Sequence, residues 1–218
     1  MPSRWPWSAS DAPGVRVSTA TAAVASGPSA AIKRVAVVGG GTMGNGIAQT
    51  FAASGFDVEL IDVHTAAVDK ALVTIGKSLD RLAQKQIIAP ELAKSALERI
   101  HGGTSLEVAS HCQVVVEAVS EEFALKRQVF ETLDRVAPAG AVLASNTSSI
   151  SITEIAAVTK RPDHVIGMHF MNPVPMMKLV EIIRGLATSD ATWAAIEALT
   201  KDLGKVPVPA NDAPGFIA

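Results

Sequence analysis

Hydrophobic positions along this chain alternate between short unbroken runs and longer stretches that repeat every three or four residues. Arg34-Val35-Ala36-Val37-Val38 is a β-branched run, the pattern of a strand buried in a parallel sheet. It leads into Gly39-Gly40-Gly41-Thr42-Met43-Gly44. Ile47, Ala48, Phe51 and Ala52 then share one helical face, and Gly55 supplies a C-terminal stop. Asp57 to Asp62 is the next strand, which completes a strand–turn–helix–strand unit. A helix follows from about His64 to Lys85, with Leu72, Ile75, Leu79 and Leu82 at helical spacing. A second starts at Pro90 and carries Leu92, Leu97 and Ile100. Together they predict a helical hairpin inserted into the α/β pattern.

Further strands are expected at Val114–Val119, Ala141–Ala144, His164–Phe170 and Lys178–Ile183, with a last short one at Lys205–Val208. Helices are expected at Glu121–Val136, Ile150–Val158 and Ser189–Leu203, the last capped by Ser189 or Asp190. Alternating strands and helices imply a mostly parallel sheet covered on both faces.

The first thirty or so residues break this pattern. They are rich in Ala, Ser, Pro and Thr, have no period, and lack the apolar core of a secretory signal. Arg4 and Arg16 among many hydroxyl residues faintly resemble a transit peptide, against which Asp11 and the prolines argue. Residues 1–31 therefore read as a disordered extension, or as translation from a start codon placed too early.

The 218 residues are 48% hydrophobic and 18% charged, enough apolar mass for a sizeable core. A formal net charge of −2 and the absence of a basic run argue against nucleic acid. No apolar run approaches the roughly 20 residues that span a bilayer. The single cysteine, Cys112, excludes an internal disulfide and has no base nearby in sequence, so it is expected to be inert. These features suggest a cytoplasmic protein with a small ligand; no membrane partner and no metal are expected.

The spacing Gly39-x-Gly41-x-x-Gly44 is weak evidence alone, but its context is specific. A strand precedes it, a helix follows, and Asp62 ends a second strand about 20 residues on. Gly39 suits the tight turn, Gly41 the close approach of a pyrophosphate, and Gly44 the packing of helix on strand. The helix N-terminus offers unpaired N–H groups to phosphates. Asp62 suits the ribose hydroxyls and repels a 2′-phosphate, and Val63-His64-Thr65 provides no arginine. NAD is therefore expected over NADP.

Oxidation or reduction chemistry on such a domain needs a proton-transfer group. His169 ends an apolar strand, where ligand crevices of α/β sheets lie, and histidine is matched to neutral pH. Taken alone, a strand-end histidine is more often structural. Glu181 sits on the next strand among Leu179, Val180, Ile182 and Ile183, where a carboxylate needs a partner, and His169 is the natural one. Ser148 and Asn172 are small polar residues in loops after strands, equally compatible with plain turns.

Glu117-Ala118-Val119, Ser145-Asn146-Thr147-Ser148-Ser149 and His169-Phe170-Met171-Asn172-Pro173-Val174-Pro175, together with Gly39 to Gly44, resemble the 3-hydroxyacyl-CoA dehydrogenase family. The resemblance extends from about Ile32 to Ala218. It implies a Rossmann-type doubly wound, mostly parallel sheet with the helical hairpin inserted. It also implies NAD-dependent oxidation of a 3-hydroxyacyl-CoA to the ketone, an acyl-CoA partner, and a catalytic His169–Glu181 pair. By the same resemblance Ser148 contacts the reacting oxygen of the substrate and Asn172 helps hold the nicotinamide. Gly39, Gly40, Gly41, Thr42, Met43, Gly44, Asp62, Glu121 and Lys126 fall at cofactor positions, and Ser78 and Lys85 at positions used on CoA. Gly40 stands where the family commonly has alanine, a difference expected to be harmless.

The family continues beyond Asn211-Asp212-Ala213-Pro214-Gly215-Phe216-Ile217-Ala218 into a helical domain that completes the pocket and a homodimer. The expectation is an NAD-binding domain over 32–211, a hinge from 212, and weak turnover by these residues alone. Two other readings are an NAD-binding module without turnover and a β-hydroxyacid dehydrogenase. The latter places its proton on a lysine of a later helix and lacks the His-Phe-x-Asn-Pro segment.

Overall fold

The structure, a computed structural model, describes residues 32–213; the expectations for residues 1–31 and 214–218 lie outside the described residues. Its strands are β1 (Arg34–Val38), β2 (Asp57–Ile61), β3 (Ile100–Gly103), β4 (Val114–Glu117), β5 (Val142–Ser145), β6 (Val165–Phe170), β7 (Leu179–Arg184) and β8 (Val206–Asn211). They form one sheet in the order β3-β2-β1-β4-β5-β6-β7-β8. The helices are α1 (Thr42–Ala53), α2 (Thr65–Gln84), α3 (Pro90–Glu98), α4 (Phe123–Val136), α5 (Ile152–Ala156) and α6 (Asp190–Asp202).

β1 lies between β2 and β4, so the chain winds outward one way through β2 and β3 and then the other way through β4, β5 and β6. The switch in direction opens a crevice at the C-terminal ends of β1 and β4, the place where open α/β sheets hold ligands. Strands β1 to β6 are parallel; β7 runs antiparallel to β6, and β8 is parallel to β7. The short 171–178 loop permits this reversal, because a parallel return needs a longer crossover.

Side chains alternate across the sheet and feed two cores. Val35 and Val37 join Ile47, Phe51, Ile75 and Leu79 on one face. Ala36 and Val38 join Phe130, Leu133 and Ile155 on the other. The doubly covered sheet expected from the alternating pattern is thus present, and Ser189 caps α6 by accepting from the Thr192 N–H.

Two details differ from the sequence reading. Ile100, expected on the second helix of the hairpin, opens β3, and a 3₁₀ turn spans Leu106–His111. The buried face of α3 is Ala93 and Ala96, while Leu92 and Leu97 are exposed. The hairpin is therefore the crossover between β2 and β3. Strand β3 was hidden because His101-Gly102-Gly103 carries no β-branched residue. Its Gly102 answers to packing: an added Cβ would lie 2.4 Å from Val68 Cγ1. The second difference is Asp212, expected to open a hinge. Its carboxylate accepts hydrogen bonds from the Ser151 hydroxyl and the Ile152 and Thr153 N–H groups at the start of α5. Asp212 therefore belongs to the domain.

The glycine turn is sterically determined. Gly39 has φ of +111°, and a Cβ there would sit 2.6 Å from the Ala118 carbonyl oxygen. A Cβ on Gly44 would sit 1.7 Å from the Gly39 carbonyl oxygen, with backbone on both sides of the clash. Gly44→Ala is expected to destabilise the domain by about 1–3 kcal/mol or more through overpacking. Urea unfolding followed by circular dichroism measures this, and an unchanged midpoint would refute the steric account.

Candidate active site

The crevice at the switch point is a cleft of about 790 Å³. Gly39, Gly40, Gly41 and Thr42 line it from the glycine turn, facing Asp62 just after β2 and Lys70 from α2. Met43 and Gly44, also expected at the cofactor, do not line it; Met43 packs on the core and Gly44 is buried beneath the turn. Asp62 shapes the site as well as lining it. Its Oδ2 accepts the Gly40 N–H at 2.8 Å and its Oδ1 the His64 N–H at 3.1 Å. Gly40 is tighter than expected, since a methyl there would approach the Ala67 carbonyl oxygen to 3.1 Å.

These residues fit a dinucleotide. A Cβ on Gly41 would meet nothing within 4 Å, so the open space above the turn is available to a pyrophosphate. The N-terminus of α1 has no side-chain cap and no acidic residue in its first turn, which leaves its N–H groups and dipole to an anion. Asp62 places a carboxylate on the wall of the same cleft.

Along the sheet, β6 places His169 directly opposite Glu181 of β7. His169 Nδ1 and Glu181 Oε2 are 2.7 Å apart, with Glu181 fully buried and the imidazole nearly so. The pair expected from the apolar setting of Glu181 is present. The serine loop after β5 lies against the same strand: Asn146 Oδ1 accepts the Phe170 N–H at 2.8 Å. Sequence reasoning passed over Asn146; its only signal was its place between β5 and Ser148.

Glu121 gathers this loop. Its Oε1 accepts the Ser148 N–H at 2.9 Å, the Ser149 N–H at 3.1 Å, and the Thr147 hydroxyl in a short bond. Burial acts to raise the Glu121 pKa, but the Thr147 hydroxyl, the Lys126 charge and the loop N–H groups outweigh it and hold the carboxyl at about 2. Ser148 itself is exposed on the loop.

Lys126, implied at a cofactor position, is buried: its side chain is 1% exposed, with Nζ 2.7 Å from Glu117 Oε1 and 3.3 Å from Glu121 Oε2. Asn172 is exposed in the loop after β6, at a cis Asn172–Pro173 bond. The buried Lys205 ammonium donates to the Val174 and Met177 carbonyls and ties that loop down. Nothing in the sequence pattern marked Lys205. Ser78 and Lys85 do not line the cleft. Lys85 caps the C-terminus of α2, 11 residues beyond the cleft-lining Thr74 and so roughly 16 Å along the axis at 1.5 Å per residue. Burial pushes the Cys112 thiol up to about 12, with Glu59 adding to the rise, as its expected inertness requires.

The depressed Glu121 pKa links stability to pH. A carboxyl at about 2 when folded and near its ordinary 4.5 when unfolded stabilises the fold fully above about 4.5, and that contribution disappears as pH falls toward 2. Asp212, also lowered, strengthens the same acid limb. Glu121→Gln is expected to flatten the dependence of Tm on pH between about 4.5 and 2. An unchanged acid limb would show that Glu121 is not held by its neighbours as described.

Similarity to known proteins agrees with this architecture. The family model for the 3-hydroxyacyl-CoA dehydrogenase NAD binding domain matches residues 34–213. A probable 3-hydroxybutyryl-CoA dehydrogenase of Bacillus subtilis is 51% identical over 187 residues, covering 86% of this chain and 65% of that protein. A 3-hydroxybutyryl-CoA dehydrogenase of Clostridioides difficile is 45% identical, covering 84% of this chain and 66% of its own length. The crystal structure of (S)-3-hydroxybutyryl-CoA dehydrogenase from Ralstonia eutropha superposes with a TM-score of 0.84 at 50% identity, over 86% of this chain and 66% of that one. The chain thus spans about 65% of the length of these relatives. With the glycine turn, the ribose acid and the strand order all in place, the chain belongs to the 3-hydroxyacyl-CoA dehydrogenase family, and residues 34–213 are its NAD-binding domain.

Proposed function

We propose that this chain serves the NAD-dependent oxidation of a (S)-3-hydroxyacyl-CoA to the 3-oxoacyl-CoA. The observation that carries this reading is the His169–Glu181 pair at 2.7 Å, at the end of β6 and beside the serine loop. The names of the relatives, 3-hydroxybutyryl-CoA dehydrogenases, support the substrate class.

The roles rest on the geometry for the glycine turn, Asp62 and the His169–Glu181 pair, and on the family resemblance for the rest. Gly39 to Thr42 and the α1 N-terminus bind the pyrophosphate, and Asp62 binds the adenine ribose. When bound, NAD supplies the two-electron acceptor. Glu181 accepts the His169 Nδ1–H, fixes the tautomer and stabilises the imidazolium that forms. Proton exchange with the substrate then falls to Nε2, which takes the hydroxyl proton as the C3–O bond becomes a carbonyl. The Ser148 hydroxyl orients that oxygen, and Asn172 lies on the nicotinamide side. Ser78 and Lys85 form an outer contact to CoA, where a lysine suits a phosphate as a point charge. An acyl-CoA is the partner this chemistry suits.

Three measurements bear on this reading. Calorimetric titration is expected to show tighter binding of NAD than of NADP, with Asp62→Ala narrowing the gap; equal affinities in the unaltered chain would refute the role of Asp62. Gly41→Ala is expected to weaken NAD binding without lowering Tm, because its Cβ enters open space. In turnover of 3-hydroxybutyryl-CoA by a version completed with the family's second domain, His169→Gln is expected to lower kcat by about 10²–10⁴-fold, the usual worth of general acid–base catalysis. Glu181→Gln is expected to lose less, and the two losses not to add, since the residues act as a unit. Near-normal turnover by His169→Gln would remove His169 from the mechanism.

A further inference from the structure

Two buried charges lie behind the serine loop, and neither touches the reaction described above. Glu117, at the end of β4, is fully buried. Its Oε1 accepts from Lys126 Nζ at 2.7 Å and from the Val119 N–H at 2.7 Å, and its Oε2 accepts the Ser145 hydroxyl at 2.6 Å. Lys126 is held between this inner carboxylate and Glu121 at the cleft edge. We propose that Glu117 and Lys126 are positioning residues for Ser148, acting through Glu121. The proposal deepens the reading of Ser148 as the hydroxyl facing the substrate, and it rests on that reading.

Glu121 alone is poorly suited to organise a loop. Its side chain is 37% exposed, and a solvated glutamate on a short connection has many rotamers. Lys126 removes that freedom. The ammonium, fixed from behind by Glu117, draws Glu121 Oε2 inward at 3.3 Å and leaves Oε1 facing the Ser148 and Ser149 N–H groups. The Ser148 hydroxyl lies 3.4 Å from the same oxygen. Glu117 reaches the loop by a second route, because the Ser145 hydroxyl that it accepts is itself 3.3 Å from the Thr147 N–H. The loop carrying Ser148 is therefore set at both its start and its crest by one buried carboxylate.

A buried carboxylate–ammonium–carboxylate chain is a poor source of stability, since desolvation offsets most of the attraction, and apolar residues of similar size often serve the fold as well. What it supplies is geometry. An Nζ on a side chain 1% exposed has almost no surface to offer a ligand, so any influence of Lys126 on the site passes through Glu121.

The test is amide hydrogen exchange at Ser148 and Ser149 in the 218-residue chain without ligand, read by NMR. Glu121→Ala removes the acceptor and sets the full effect. Lys126→Met alone leaves Glu117 buried without its cation and endangers the fold. The double variant E117Q/K126M removes both charges; the glutamine oxygen still accepts from the Val119 N–H, and its amide NH2 donates to the Ser145 oxygen. It is expected to speed exchange at Ser148 and Ser149 by about tenfold, near the effect of Glu121→Ala and the worth of one lost hydrogen bond. The Leu143 and Ala144 amides of β5 should keep their rates. Unchanged exchange at Ser148 and Ser149 overturns the proposal. Equal acceleration across β5 also overturns it, because the charges would then merely hold the strand. In turnover of 3-hydroxybutyryl-CoA, E117Q/K126M should lower kcat and add little to the loss caused by Ser148→Ala; additive losses count against the proposal. Absence of turnover in a version completed by the family's second domain would instead count against the dehydrogenase reading, and the exchange result, which needs neither cofactor nor substrate, would still decide the role of Glu117 and Lys126.

Discussion

The contact between Gly44 and the Gly39 carbonyl is the constraint on which the site depends. No side chain fits between them, so α1 starts hard against the end of β1. That closeness aims the helix N-terminus into the crevice between β1 and β4 and leaves open space at Gly41. Asp62 completes the arrangement by accepting the Gly40 N–H, so the acid on the cleft wall also holds the glycine turn. The cofactor end is thereby formed from backbone geometry and one carboxylate, with little left to side-chain rotamers.

The chemical end is built differently, from carboxylates placed where water is scarce. Glu181 is buried and committed to His169; Glu117 is buried and committed to Lys126. Each would be costly without its partner, which is why each pair is close and hydrogen-bonded rather than loosely solvated. Glu121 stands between these buried groups and the cleft. Its low pKa comes from the loop donors and Lys126 overcoming the penalty of burial, so its charge persists across the pH range in which a histidine transfers protons.

The loops around the site are anchored by single residues far away in sequence. Lys205 donates to two carbonyls of the loop after β6, Asn146 bonds the start of the serine loop to β6, and Asp212 ties the end of β8 to α5. These anchors satisfy backbone groups that would otherwise compete with the geometry of His169, Ser148 and Asn172.

Much of this was legible in the chain itself. Hydrophobic periodicity located seven of the eight strands among the described residues, most plainly β1, where Val35 to Val38 are buried on both faces and so apolar without a break. Glycine spacing followed by Asp62 identified the dinucleotide turn, because steric exclusion leaves no other residue for Gly39 and Gly44. An acid among aliphatic neighbours exposed Glu181 and pointed to His169. Strand β3 escaped because its Gly102 answers to Val68 of α2, a tertiary neighbour. The burial of Lys126 is not written in its helix, because a lysine on an amphipathic helix usually faces solvent, and only the packing of α4 against β4 and the serine loop brings two carboxylates to it. Periodicity, turns and isolated buried charges are local and can be read from sequence. Which charge meets which, and whether a polar group faces the cleft or lies behind it, was decided by strands and helices brought together from distant parts of the chain.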